Sequence, residues 1–141
     1  MKFWDSSAIV PLLVEEPSTA FLIDLYSKDS VMLAWWGTDI ECVSALARLE
    51  RDSQLDADAM TRALDRLHTL RQSWHEVQPI EILKETAMRM LRVHNLRAAD
   101  ALQLAAALLA SGSRPAFLDF VCFDDRLVAA ARREGFHVIG L

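Results

Sequence analysis

The segment VMLAWW at residues 31–36 is apolar with no alternation between faces, the pattern of a strand covered on both sides. A strand of that kind excludes a sheet with one wet face and requires helices above and below it. TDIECVSALARLERD sets Ile40, Val43, Leu46 and Leu49 at helical spacing, and DADAMTRALDRLHTLRQSW does the same with Met60, Ala63, Leu67, Leu70 and Trp74. With the short polar SQLD between them, residues 38–74 read as a helical hairpin. KFW, HEVQPI, DFVCF and FHVIGL read as further short strands. Helices are expected from about Ser7 to Val14, over STAFLIDLYS with Ser18 as cap, and from about Glu81 to His94. Two more, LRAADALQLAAALLASG and DDRLVAAARREG, end at Gly112 and Gly135. Strands alternating with helices and helical pairs imply an α/β fold, a parallel sheet with helices on both faces.

The 141 residues suffice for one domain with a real core and not for two, so a single domain over 1–141 is expected. Cys42 and Cys122 are far apart and lack a CxxC partner, which implies neither a zinc site nor a disulfide framework and fits a reduced compartment. ALQLAAALLA, interrupted by Gln103, is about half the roughly 20 residues that a spanning helix needs. It reads as a buried helix, with no membrane association. Lys2 is followed by Asp5, Glu15 and Glu16, unlike a secretory signal, and a cytoplasmic location is expected. The formal net charge of −5 opposes a protein that grips nucleic acid by bulk charge. It is compatible with a nuclease, because a metal-dependent site collects acids and the cation inverts the local field.

In a parallel sheet the site lies beyond the carboxyl ends of the strands, and two aspartates stand there. Asp5 follows KFW, and Asp124 follows DFVCF, each just before a helix. Helix capping alone would account for both, and first-turn dipole placement for Asp125 and Asp39. Glu41 fits a capping box with Thr38 as the cap, yet the box also sets it just after a strand, near the same edge. Asp100 precedes a helix apolar nearly all round, and a lone buried carboxylate costs several kcal/mol unless paired. Its partner is either Arg97, three residues back, or a cation shared with the other acids.

WDSSAIV, GTDIECVSALARL, LRAADALQLAAAL and CFDDRLVAAARREGF together resemble the PIN domain. More narrowly the chain resembles the VapC-type toxins of bacterial toxin–antitoxin pairs, over almost its whole length. The resemblance implies a three-layer α/β/α sandwich around a central parallel sheet of about five strands. It also implies a ribonuclease dependent on Mg²⁺ or Mn²⁺, leaving 5′-phosphate and 3′-hydroxyl ends. By that match Asp5, Glu41, Asp100 and Asp124 are the catalytic and metal-holding quartet, with Ser6, Ser7 and Arg97 as possible support. A hydroxyl from Ser6 or Ser7 could orient Asp5. Where the family often has Ser or Thr two residues before the fourth acid, this chain has Cys122. The hairpin region, with Arg48, Arg51, Arg62 and Arg66 among its polar positions, is where such toxins form a homodimer and a groove for a VapB-like antitoxin. RNA is the implied substrate.

Arg97, Arg126 and Lys2 adjoin acids in sequence, where they would either pair with them or meet RNA phosphates. Trp35 and Trp36 suit a core, or a stacking platform for an unpaired base. Three rival readings are weaker. A haloacid-dehalogenase-like hydrolase wants a second aspartate where Ser7 stands, and a receiver domain wants a late lysine where the last lysine is Lys84. A catalytically silent module that binds only a partner protein or RNA has no need of the intact quartet.

Overall fold

The computed structural model describes residues 1–140. Five short strands form one sheet: β1 (Lys2–Trp4), β2 (Met32–Trp35), β3 (His75–Val77), β4 (Asp119–Cys122) and β5 (Val138–Gly140). Every pairing is parallel, in the order β3-β2-β1-β4-β5. Seven helices join them: α1 (Ser6–Leu13), α2 (Thr19–Lys28), α3 (Thr38–Arg51), α4 (Ala57–Ser73), α5 (Glu81–Val93), α6 (Ala98–Ala110) and α7 (Asp125–Arg133). This is the expected α/β/α sandwich. No helix among the described residues is long and apolar enough to cross a membrane.

Side chains alternate across the sheet and so build two cores. Phe3, Phe120 and Cys122 face the layer of α5, α6 and α7, packing with Met90, Leu104 and Leu127. Trp4, Met32, Ala34 and Val121 face α1 to α4, packing with Ile9, Leu22, Leu46 and Leu67. Helix α6 is the most deeply set: Ala101, Leu104, Ala105, Ala106 and Ala107 are fully buried, as its all-round apolarity demands. The glycines expected to end α6 and α7 do so through the same device. Gly112 and Gly135 take positive φ (60° and 100°), and bonds from Ser113 N to Leu108 O and from Phe136 N to Ala131 O, both 3.0 Å, satisfy the last carbonyls.

Some local readings differ from the structure. In α3 the buried face is Thr38, Cys42 and Leu46, while Ile40 and Val43 are 61% and 39% exposed. Of the expected apolar stripe Leu46 is fully buried, but the helix is rotated so that Thr38 and Cys42, not Ile40 and Val43, share its buried face. Ser18 makes no side-chain cap on α2. Instead, the Thr19 hydroxyl donates to the Pro11 carbonyl at 2.7 Å and accepts from Glu16 N at 2.8 Å. Trp35 is core, but Trp36, one residue past β2, is 46% exposed. A 3₁₀ turn at Pro115–Phe117 had no sequence-based expectation. Because Leu104 is fully buried beneath the sheet, Leu104→Ala is expected to lower the unfolding free energy by about 2–5 kcal/mol in urea titration.

Candidate active site

Chain order creates the site. From the central strand β1 the chain moves outward to β2 and β3, then returns to the other side of β1 as β4. Neighbouring strands β1 and β4 therefore lead away in opposite directions, the crevice where such sheets bind ligands. Asp5 leaves β1 and Asp124 leaves β4 at that crevice, joined through a 3.0 Å bond from Asp5 N to Val121 O. Glu41 enters from the first turn of α3 and Asp100 from the first turn of α6. All four line one open cleft of about 670 Å³, together with Ser6, Ser7, Glu16, Ser44 and Arg48.

Asp5 is the cleft's buried floor, 3% exposed. Its Oδ2 accepts from Ser7 N at 3.1 Å and from the Ser7 hydroxyl at 2.5 Å, so capping of α1 and fixing of the carboxylate are one interaction. The Ser7 hydroxyl in turn accepts from Phe123 N at 2.9 Å, tying the end of β4 to the start of α1. Ser6 turns elsewhere: its hydroxyl donates to Glu41 Oε1 at 3.1 Å. The hydroxyl that orients Asp5 is thus that of Ser7, while Ser6 serves Glu41. At the place where the resembled family often has a hydroxyl, the Cys122 thiol lies 3.6 Å from both Asp5 Oδ2 and Ser7 Oγ. It also accepts from Asp124 N at 3.4 Å. Cys42 and Cys122 are free and buried, and burial raises both thiols.

Glu41 is not part of a capping box. Gly37 occupies the cap position, and Thr38 is the first helical residue, fully buried. Gln103 of α6 takes over: its amide donates to Thr38 Oγ1 at 3.0 Å and to Glu41 Oε2 at 3.1 Å. Long-range bonds outcompete the local box because they satisfy groups that water cannot reach. Gln103 had not been expected at the site. Its signal was its isolation: after Asp100 it is the one polar side chain in an otherwise apolar helix, one turn further on. Glu16 was also missed; partial burial raises its carboxyl.

Asp124 is both a cap, accepting from Leu127 N at 3.0 Å, and a cleft residue. Asp100 is half-buried rather than enclosed, and its Oδ2 accepts from the backbone N–H of Arg97 at 3.2 Å. Of the two partners the sequence left open for Asp100, the Arg97 side chain does not pair with it: Arg97 is the cap residue before α6, and its backbone N–H makes the bond. Asp39 pairs with Arg71 of α4 at 3.0 Å. Lys2 lies at the opposite end of β1, where it pairs with Asp29 at 2.9 Å, and so takes no part in the cleft.

Electrostatics follow from four carboxyl groups gathered with little water. Burial pushes Glu41 up to about 7, and the charge of Asp5 adds to it. Burial likewise raises Asp5, against the bonds from Ser7. Asp100 is raised by burial and by Asp124, while Arg97 and Arg126 pull it back. An all-oxygen donor set of this charge suits a hard divalent cation, which takes one or two carboxylates directly and keeps waters. Among the described residues no three His, Cys, Asp or Glu side chains are grouped so that they could hold a metal ion as they stand. The donors line an open cleft, the arrangement that leaves room for a substrate oxygen.

No protein-family model matches the chain, and no curated protein matches it. Solved structures do. PAE2754 from Pyrobaculum aerophilum superposes with a TM-score of 0.70 at 21% identity, over 99% of this chain and 89% of that one. FitAcB from Neisseria gonorrhoeae gives 0.65 at 19% identity, over 99% and 97%. FitAB bound to an IR36 DNA fragment gives 0.65 at 18%, over 99% and 94%. The fold is PIN-like.

The raised carboxyls carry a prediction. A group whose folded pKa exceeds its unfolded one binds more protons when folded, so stability falls as pH rises between the two values. For Glu41 that window runs from 4.5 to about 7, and Asp5 and Asp100 act with the same sign. Metal-free protein should lose thermal stability as pH rises through this window, and Glu41→Gln should flatten the decline in differential scanning fluorimetry.

Proposed function

We propose that the chain is a divalent-metal-dependent endoribonuclease, the toxin of a VapBC-type toxin–antitoxin pair. The observation that carries this reading is the convergence of Asp5, Glu41, Asp100 and Asp124 from four separate elements on one cleft at the sheet's switch point. Helix capping explains Asp5 and Asp124 one at a time. It does not explain why Glu41 forgoes its own helix for Ser6 and Gln103. In this reading Asp5, Asp100 and Asp124 would hold Mg²⁺ or Mn²⁺, directly or through water, and Glu41 would hold a second ion or position the attacking water.

With a cation held there, the carboxylates would gain a water of lowered pKa at neutral pH and a counter-charge to the phosphate. The protein's own residues do the positioning. Ser7 and Cys122 lock the Asp5 carboxylate against the sheet. Glu41, gripped by Ser6 and Gln103 through separate oxygens, is the group placed to accept a proton from the attacking water. Its raised pKa suits a base working near neutrality. Hydrolysis adds that hydroxyl to phosphorus and releases the ribose 3′-oxygen, leaving 5′-phosphate and 3′-hydroxyl ends.

The partner assignments are of the same standing. A structure of like fold, FitAB, is bound to a DNA fragment, which supports a setting among nucleic acids. A cytoplasmic homodimer neutralised by a VapB-like antitoxin is the assembly that the sequence resemblance favours. The test is cleavage of mixed tRNA and rRNA fragments in Mg²⁺ or Mn²⁺. Discrete cuts are expected from wild type, none in EDTA, and a loss of more than about 100-fold in Asp100→Asn, the scale on which positioned catalytic groups contribute. Identical lanes for wild type and Asp100→Asn across both metals would favour the silent binding module instead.

A further inference from the structure

The cleft does not end at the acids. A second cavity of about 580 Å³ is lined by Arg97, Asp100, Phe123, Asp124, Asp125 and Arg126. It shares Asp100, Phe123 and Asp124 with the first. The two form one trough with those residues as the common wall. Arg48 lines only the first part, whereas Arg97 and Arg126 line only the second.

What sets these guanidinium groups apart is their place along the trough: among the described residues Arg51, Arg62, Arg89 and Arg92 are also exposed and without an ion pair, but line neither cavity. Arg66 is committed to the Leu13 carbonyl at 2.8 Å, Arg71 to Asp39, and Arg114 to the ring of Phe117 at 5.1 Å. Arg48, Arg97 and Arg126 are exposed, and among the described residues none of them makes an ion pair or side-chain hydrogen bond. Asp125 stands beside Arg126 in sequence and Glu16 shares a cavity with Arg48, yet neither takes up the pairing on offer. In a chain of net charge −5, uncommitted arginines on either side of an acidic centre are the feature that a polyanion would use. Arginine's planar fork matches phosphate oxygens in pairs.

We propose that Arg48 on one side and Arg97 with Arg126 on the other hold phosphates of one continuous strand, so that the phosphate over the acids is internal to the chain. This rests on the nuclease reading for the identity of the strand and for cleavage within it, and adds where its backbone runs on either side of the acids. Each arginine neutralises one phosphate, while the bases are left unread by these contacts.

The experiment is the salt dependence of binding of fluorescein-labelled oligouridylate, linear and circular, in Mg²⁺, with cleavage followed on the same samples. For single strands the slope of log K against log salt is about −0.7 per neutralised phosphate. Arg48→Gln should therefore shallow the slope by about 0.7, and the Arg97→Gln/Arg126→Gln double variant by about 1.4. Arg62→Gln, an exposed α4 position outside both cavities, should leave it unchanged. Circular and linear RNA should bind alike. Unchanged slopes in the cleft variants, no binding at all, or a requirement for a free end would overturn the proposal. Shallower slopes without cleavage by wild type would leave the track standing and sink the nuclease reading; cleavage with unchanged slopes would do the reverse.

Discussion

A carboxylate buried at the carboxyl end of the central strand is the constraint around which this molecule is arranged. Asp5 sits between β1 and β4, almost out of contact with water, where an uncompensated charge costs several kcal/mol. The compensation comes from Ser7, which supplies a backbone N–H and a hydroxyl, and whose oxygen then accepts from Phe123 N. One short network thereby fixes the first turn of α1, the exit of β4 and the deepest acid of the cleft. Cys122 closes it from the far side with a weaker sulfur contact. The elements that bring the acids together are also those that the acids help to hold.

Gathering four carboxyl groups works against folding, and the cleft shows how the opposition is contained. Among the described residues no arginine forms an ion pair with these acids, and Arg97 and Arg126 act on Asp100 through their charge alone; hydrogen-bond donors hold the carboxylates. Neutral donors orient a carboxylate without cancelling its charge, so the negative field stays available to a cation. Glu41 shows this most clearly, because each of its oxygens has its own donor and its pKa is raised all the same. Repulsion among the acids is the energetic reserve on which a divalent ion would draw.

Much of this was legible in the sequence, and the rest was hidden for identifiable reasons. VMLAWW could be read as a doubly covered strand and KFW and DFVCF as short strands, and Gly112 and Gly135 marked helix ends, where the structure gives them positive φ. Asp5 and Asp124 could be placed at the carboxyl edge because strand, acid and helix are contiguous. Glu41 was located correctly, but its partners were not, since a capping box is a local pattern and Gln103 is 62 residues away. For Asp100 the sequence left Arg97 and a shared cation both open, and it could not show that the helix starts after Arg97, which leaves only a backbone bond from that residue. The stripe of Ile40 and Val43 misled for a related reason. Periodicity locates an apolar face but does not say that the face meets the core, and here Thr38 and Cys42 take that place.

The account's central claim is that Asp5, Glu41, Asp100 and Asp124 together form a binding site for a hard divalent cation. Crystals grown with Mn²⁺ and measured at an energy where manganese scatters anomalously would test it without any assay of activity. The account predicts an anomalous peak inside the cleft within coordination distance of at least one of these carboxylates, lost in Asp100→Asn. Saturating Mn²⁺ with no peak there, or a peak only at unrelated surface acids, would contradict it.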